Sequence, residues 1–396
     1  MPTFPNGFLW GTATAAHQVE GGNWNNDWWA WEHNPQSPCV EPSGDACDQY
    51  HRYRDDIRLL AESGFNTYRF SLEWSRLEPE EGEWSHAAVD HYRRVCEACR
   101  AAGITPMVTF HHFTTPRWVA HLGGWEEPDT AGRFADFCWR AATGLADLLG
   151  WACTINEPNM VALHGYRTGA FPPGRRDPAL RRSVNDVLAD AHRRAASAIR
   201  AATTDVPVGL TLAMQEVVPV AGGEDRAAAI LRDTEDVFLG ACQDDDFLGV
   251  QTYTRVRVGP DGLLPPEVGA EDGMETTMMG YEFWPEALEA TVRRAWSALG
   301  ARVPIVVTEN GIATEDDSRR IAYVTEALDG VGRCLADGID VRGYLYWSAL
   351  DNFEWAYGYR PTFGLIAVDR ATFARTPKPS ASWLGAIARA NSTPAP

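Results

Sequence analysis

The 396 residues carry 54 acidic against 35 basic side chains, a formal charge of −19, and 45 % hydrophobic content. That charge excludes nucleic acid as a partner, because no basic stripe offsets the repulsion from a polyanion. No run of about 18 apolar residues is present to cross a membrane as a helix, and the opening MPTFPNGFLWGTATAAHQVEGG has no basic stretch followed by a long apolar one, so the cytoplasm is the expected compartment.

In chain order, short apolar runs alternate with longer amphipathic ones. The first strand is expected in FLWGTAT from Phe8. An irregular stretch, residues 23–49, follows it and is crowded with Trp24, Trp28, Trp29 and Trp31. The amphipathic YHRYRDDIRLLAESG leads to a second strand, TYRFSLEW from Thr67, and a third follows in ITPMVTFHH from Ile104. The helical RFADFCWRAATGLADLLG precedes WACTINE from Trp151. PVGLTLAM from Pro207 and DFLGVQTYT from Asp246 are the fifth and sixth strands, the latter followed by a second irregular stretch, residues 255–283. PIVVTEN from Pro304, the helical IAYVTEALDGVGRCLADG and VRGYLYWSA from Val341 complete the alternation. Several helical stretches stop at Gly, as a left-handed position after a helix prefers.

Strands alternating with helices imply parallel pairing through right-handed crossovers. Eight such units predict an α/β fold of one domain spanning 1–396, a (β/α)8 barrel with long active-face loops. An open doubly wound sheet competes, but no glycine-rich phosphate turn follows the first strand. Long loops in compact domains usually carry function, and both irregular stretches follow strand C-termini, on the face where such barrels react.

The eight cysteines form no dense framework. Cys96 and Cys99 make a CxxC inside a helical stretch with no second ligand pair, so a redox or zinc role is not expected; Cys39 and Cys47 flank a Pro/Ser/Gly loop and are expected as free thiols. The Asp244-Asp245-Asp246 run reads as a solvated helix end rather than a metal site. Arg175, Arg176, Arg181 and Arg182 read as a solvated loop and helix start.

The strand ends carry the chemistry. The fourth closes in Thr154-Ile155-Asn156-Glu157-Pro158 and the seventh in Thr308-Glu309-Asn310-Gly311. Two carboxyl groups at one barrel rim can divide glycosidic cleavage, one protonating the leaving oxygen while the other attacks the anomeric carbon. Each Glu equally fits a plainer role, capping a helix or pairing with an Arg, and strand periodicity leaves the two readings level.

These motifs resemble glycoside hydrolase family 1, the β-glucosidase family, which carries TxNEP at its fourth strand and TENG at its seventh. The resemblance extends over FLWGTATAAHQVEG, YRFSLEWSRLEPEEG, FHHFTTPRW and YWSALDNFEWAYGY, in order along nearly the whole chain. It implies a retaining exo-β-glycosidase acting on terminal β-D-glucosides, with tolerance for fucosides and galactosides. Glu157 is then the general acid/base and Glu309 the nucleophile. Arg69 and Tyr253 hold the nucleophile ionised and oriented, and Asn156 bonds the sugar 2-hydroxyl. Gln18, His112, Glu354 and Trp355 bind the glycone over a floor formed by Trp347. Two close carboxylates cannot both stay charged, so Arg69 is expected to favour the ionised form of Glu309 while Glu157 keeps its proton near neutral pH. A retaining pair stands about 5–5.5 Å apart. His111, adjacent to His112, reads as structural, as do Trp28, Trp29 and Trp31.

The chain departs from the family in two places. Gln251-Thr252-Tyr253 stands where the family usually shows Asn-Tyr-Tyr; the critical Tyr is kept, but Gln251 is one methylene longer and its hydrogen bonds to nucleophile or sugar are open. Tyr281 stands where a Trp commonly lines the aglycone side. Members that accept 6-phosphosugars replace the Glu of FEW and add a Ser-Lys-Tyr cradle; here Glu354 is present and the one lysine, Lys378, lies beyond that region. No metal or organic cofactor is expected, since a carboxylate pair needs none. The expected partner is a small-molecule β-glycoside, with the protein a monomer or small homo-oligomer. Transfer of the glycosyl group to an alcohol acceptor uses the same intermediate and is the alternative activity. A carbohydrate-binding pseudoenzyme requires a missing carboxylate, and both are present.

Overall fold

The computed structural model describes residues 3–266 and 274–393. Eight strands close a barrel: β1 (Leu9–Ala13), β2 (Thr67–Ser71), β3 (Thr105–His111), β4 (Trp151–Asn156), β5 (Val208–Ala213), β6 (Phe247–Gln251), β7 (Ile305–Asn310) and β8 (Val341–Trp347). Each pairs in parallel with its neighbours in chain order, and β8 closes against β1 with Ala13 opposite Trp347. All eight expected strands are present, each within the run that predicts it. Most of them are rich in apolar residues because parallel barrel strands are covered on both faces, though β2 carries Arg69 and β8 carries Arg342.

Inside the barrel, Leu9, Met107, Cys153, Phe247, Val306 and Leu345 form one apolar layer. A much larger core fills the space between the barrel wall and the surrounding helices, among them α1 (Gln49–Ser63), α2 (Thr130–Leu145), α3 (Pro178–Ala202) and α4 (Asp317–Ala336). Helix α1 ends at Gly64, whose φ of 105° is left-handed and whose N–H caps the carbonyls of Leu60 and Ala61. The helix expected to run to Gly150 stops at Leu145 instead, because the chain turns at Leu148 and Leu149 to enter β4.

Register shifts in β4 and β7 position the site. Counting by twos from Cys153 sends Asn156 to the outside of the barrel, and from Val306 the same count sends Glu309 outward with Val307. A register shift between Cys153 and Asn156 in β4, and another between Val307 and Glu309 in β7, turn both side chains inward. Irregularities of this kind commonly re-aim a side chain near an active site.

The two stretches read as irregular hold more order than expected. Residues 23–49 contain a helix, Asp27–Glu32, capped by the Asn26 side chain on the Trp29 N–H. Trp28 is fully buried, and the Trp31 indole donates to the Ala170 carbonyl at 3.1 Å, so both pack as expected. In the second stretch, Arg255–Gly259 pairs with Glu216–Pro219 and with Gly262–Leu263 in a separate three-stranded sheet. Residues 267–273 of that stretch lie outside the described residues.

Of the two charged runs, Arg175, Arg176, Arg182, Asp244 and Asp246 are exposed as their sequences suggest, while Asp245 and Arg181 are not. The Asp245 carboxylate is buried; it accepts from the Leu210 N–H at 3.1 Å and meets His192 Nε2 at 3.2 Å, while Asp246 accepts from the Val208 N–H at 2.9 Å. These acids pin the start of β5 instead of capping a helix into solvent. His192, Cys242 and Asp245 lie close enough together to share an ion, yet the His and Asp already satisfy each other and their neighbours, with Thr154 on His192 Nδ1 at 2.8 Å. Arg181 is buried too, donating to the Asp233 carbonyl. Cys96 and Cys99 are buried on one helix, and Cys39 and Cys47 are unpaired thiols. Among the described residues no helix is long and apolar enough to cross a membrane.

Candidate active site

The rim at the C-terminal ends of the strands gathers the expected residues. Arg69 rises from the middle of β2, fully buried, and its guanidinium bonds side chains of β3, β4, β5 and β7. Nη1 reaches Glu309 Oε1 at 2.5 Å, Nη2 reaches Asn156 Oδ1 at 2.5 Å, and Nε donates to Thr109 Oγ1 at 3.0 Å. The Tyr253 hydroxyl donates to the other oxygen of Glu309 at 2.6 Å. One carboxylate therefore holds a bidentate set of donors, one of them cationic, in a site from which water is largely excluded; Glu309 is 4 % exposed.

Glu157 follows β4 with φ 45° and ψ 57°, a left-handed conformation uncommon for a residue with a side chain. It precedes the short helix Pro158–Leu163, but its carboxyl makes no capping bond to that helix. The plainer role considered for it, helix capping, is thus not the one it plays. Strained backbone at such a position is a common mark of a functional residue. Glu157 carries no arginine contact, and burial, followed by the charge of Glu309, pushes its carboxyl well above the ordinary range. Burial raises Glu309 as well, and Arg69, as expected, together with the Tyr253 hydrogen bond draws it back down. The environments still separate the two acids in the expected sense.

Around this pair lies a wall of rings and amides. The His112 ring lies nearly parallel to Trp347, at 5.8 Å and 22°, and to Trp355, at 6.1 Å and 14°. Asn156 Nδ2 meets His112 Nε2 at 3.2 Å. Because Arg69 can only donate, Asn156 Oδ1 is the acceptor and Nδ2 the donor, so His112 Nε2 accepts and its ring proton sits on Nδ1. Burial, then Arg69, holds His112 well below the usual histidine range, consistent with a neutral ring. Its Nδ1 is buried without a partner.

Gln18 is arranged in complementary fashion. Its Nε2 donates to the Phe353 carbonyl at 2.7 Å, to Asn352 Oδ1 at 3.1 Å and toward Glu354 Oε2 at 3.3 Å, leaving Oε1 buried and unpartnered. An orphan donor on His112 and an orphan acceptor on Gln18 are what a ligand rich in hydroxyl groups would satisfy, since each hydroxyl both donates and accepts. Glu354 is pushed up to about 8 by burial and then by Glu309. Tyr281 is partly buried, and its phenol is raised by burial and by the charges of Glu354 and Glu157, so it lies within their electrostatic reach.

His111 faces away, packed edge-on against Trp125 and Phe134, and is structural as expected. Several contributing residues are not singled out by sequence reasoning. His17 stacks on Trp355 at 5.7 Å and 9°, and its Nε2 meets Glu32 Oε2 at 3.2 Å, which fastens the first long loop behind that indole. Met278 and Met279 pack against the cluster of Trp347, Phe363 and the three alanines Ala13, Ala15 and Ala313. Adjacency of His17 to Gln18 in one motif is the signal that was available for the first; nothing local marks the methionines.

The comparisons agree with this geometry. The family model described as glycosyl hydrolase family 1 matches residues 1–259 and 243–393. The thermostable β-glucosidase B of Thermobispora bispora is 34 % identical over 98 % of this chain and 91 % of its own length. A bifunctional β-D-glucosidase/β-D-fucosidase of Bifidobacterium breve is 32 % identical over 96 % and 97 %. Among solved structures, the β-glycosidase BGL167 superposes with a TM-score of 0.92 at 50 % identity over 99 % of both chains. A β-glycosidase from Pyrococcus horikoshii gives 0.92 at 35 % identity over 100 % of this chain and 97 % of that one. With a family model spanning nearly its full length, the chain belongs to glycosyl hydrolase family 1.

Proposed function

We propose that this glycosyl hydrolase is a retaining exo-β-glycosidase that cleaves terminal, non-phosphorylated β-D-glucosides, and also β-D-fucosides and β-D-galactosides. The observation that carries the reading is the asymmetry of the two acids. Glu309 is held by Arg69 and Tyr253, whereas Glu157 has neither contact and is pushed further toward its protonated form. In this reading Glu309 attacks the anomeric carbon as Glu157 protonates the departing oxygen, giving a covalent glycosyl-enzyme. Once the first acid has lost its proton and the leaving group has gone, Glu157 takes a proton from water, which displaces Glu309. Asn156 donates to the 2-hydroxyl, Gln18, His112, Glu354 and the Trp355 indole hold the remaining hydroxyls, and Trp347 forms the floor.

A carboxyl group at 354 disfavours a phosphorylated glycone, and Lys378 is already paired with Asp351 at 2.8 Å. The similarity to a relative named for both glucosidase and fucosidase activity supports breadth at the sugar's 4- and 6-positions. Tyr281 is read as part of the aglycone side. The chain is read as one catalytic domain, acting in the cytoplasm on a small-molecule glycoside.

Proton NMR of the sugar released in the first seconds of hydrolysis tests the mechanism. The β-anomer of glucose should appear first and mutarotate later; α-glucose as the first product overturns it. A panel of 4-nitrophenyl glycosides tests the specificity, with glucoside turnover expected and none with the 6-phosphoglucoside.

A further inference from the structure

Gln251 is the residue at which this chain leaves its family's usual Asn, and its surroundings give it a different partner. It ends β6 directly opposite Glu309 in the strand register, so the two side chains share the inner face. It nevertheless makes no bond to Glu309. Its Nε2 donates to Asn156 Oδ1 at 2.9 Å, reaching past β5, and its Oε1 is buried without a partner.

The orientation of each amide follows from the one before it. Arg69 carries only donors, so the atom of Asn156 that it meets is the oxygen. An oxygen at that place demands a donor from Gln251, which fixes its nitrogen toward Asn156 and its oxygen away. Asn156 Oδ1 then receives Arg69 at 2.5 Å, Gln251 at 2.9 Å and Thr211 at 3.2 Å. Flipping the Asn156 amide would set a nitrogen against three donors, so its Nδ2 is held toward His112 and the sugar side. The extra methylene of Gln251 is what spans this gap.

From this we infer that Gln251 is a positioning residue, acting through Asn156 to aim the amide that bonds the sugar 2-hydroxyl. The inference rests on the reading of Asn156 given above. Contacts to the 2-hydroxyl strengthen in the transition state, so the effect belongs to kcat/KM of glycosylation and vanishes when the hydroxyl is absent.

The experiment compares 4-nitrophenyl β-D-glucoside with its 2-deoxy analogue for the wild type and for Gln251→Met, Gln251→Asn and Asn156→Ala, with thermal unfolding to confirm that each is folded. Gln251→Met keeps the length without the donor; Gln251→Asn keeps the donor without the length, and serves if the first does not fold. Both should lose about tenfold in kcat/KM on the glucoside, the equivalent of one neutral hydrogen bond, and less than about twofold on the 2-deoxy substrate. An equal loss on both substrates, or no loss on either, overturns the inference. Asn156→Ala separates the two levels: if it too loses equally on both substrates, the assignment of Asn156 to the 2-hydroxyl has failed; if it alone is selective, the link through Gln251 has failed.

Discussion

Replacing Tyr253 by phenylalanine removes one oxygen and leaves the ring, its edge-on contact with Phe363 at 5.8 Å and the surrounding packing intact. What is lost is a 2.6 Å hydrogen bond to Glu309 Oε2. A bond from a neutral donor to a buried carboxylate is worth about 1.5–3 kcal/mol. Because the phenol favours the charged form only, and one pH unit corresponds to roughly 1.4 kcal/mol, its removal should raise the carboxyl by about 1–2 units. The sign follows directly. In the proposed mechanism Glu309 attacks as its carboxylate, so activity is lost as pH falls through its pKa, and a higher pKa brings that loss on sooner. The acidic limb of the kcat/KM profile for 4-nitrophenyl β-D-glucoside should therefore move about 1–2 units to higher pH in Tyr253→Phe. The limbs belong to the coupled pair of acids, so both should be fitted together, with the alkaline limb, set by Glu157, moving less. An acidic limb that stays in place, or moves to lower pH, would refute the reasoning even if turnover fell.

Three further outcomes are expected. Arg69→Met should leave Glu309 buried with no cation and destabilise the protein by about 3–5 kcal/mol, as loss of one partner of a buried pair does; urea unfolding checks this, and a cost below 1 kcal/mol on the order of a surface pair would contradict it. Glu354 is pushed up to about 8, so the native state holds a proton that the unfolded chain releases above about pH 4.3, and stability contributed by that proton declines from there to pH 8. Glu354→Gln, which has no proton to lose, should thus gain in Tm over the wild type by more at pH 8 than at pH 5; a constant difference would show that the carboxyl is not raised. Asp245→Ala strands the Leu210 N–H and His192, neither of which contacts Glu157 or Glu309, and should cost about 1–3 kcal/mol of stability while kcat at 25 °C is kept. A fall in kcat with unchanged stability would place Asp245 in the wrong role.

Much of this molecule is legible in its residues because each barrel strand is covered on both faces and so reads as a short apolar run ending in polar residues. Glu157 just after β4 and Glu309 in β7 stand out for the same reason. What alternation cannot supply is the side on which Asn156 and Glu309 emerge, since both depend on register shifts that a count by twos sends the wrong way. The contact between Gln251 and Asn156 joins residues 95 positions apart, and its length match is visible only once β5 lies between them. Arg181 and Asp245 look solvated because charge clusters usually are; here backbone groups of distant segments satisfy them. The small sheet of Glu216–Pro219 and Arg255–Gly259 escapes notice since its strands are short and pair across a long interval.

The division of labour between the two acids is tested most directly by supplying azide to the truncated enzymes. In Glu309→Ala the missing nucleophile leaves room for azide on its own side of the sugar, and the product expected from a β-glucoside with a good leaving group is the α-glucosyl azide. In Glu157→Ala the glycosyl-enzyme still forms, azide enters from the opposite side, and the β-glucosyl azide is expected. The same anomer from both variants, or the two anomers exchanged, would contradict the assignment.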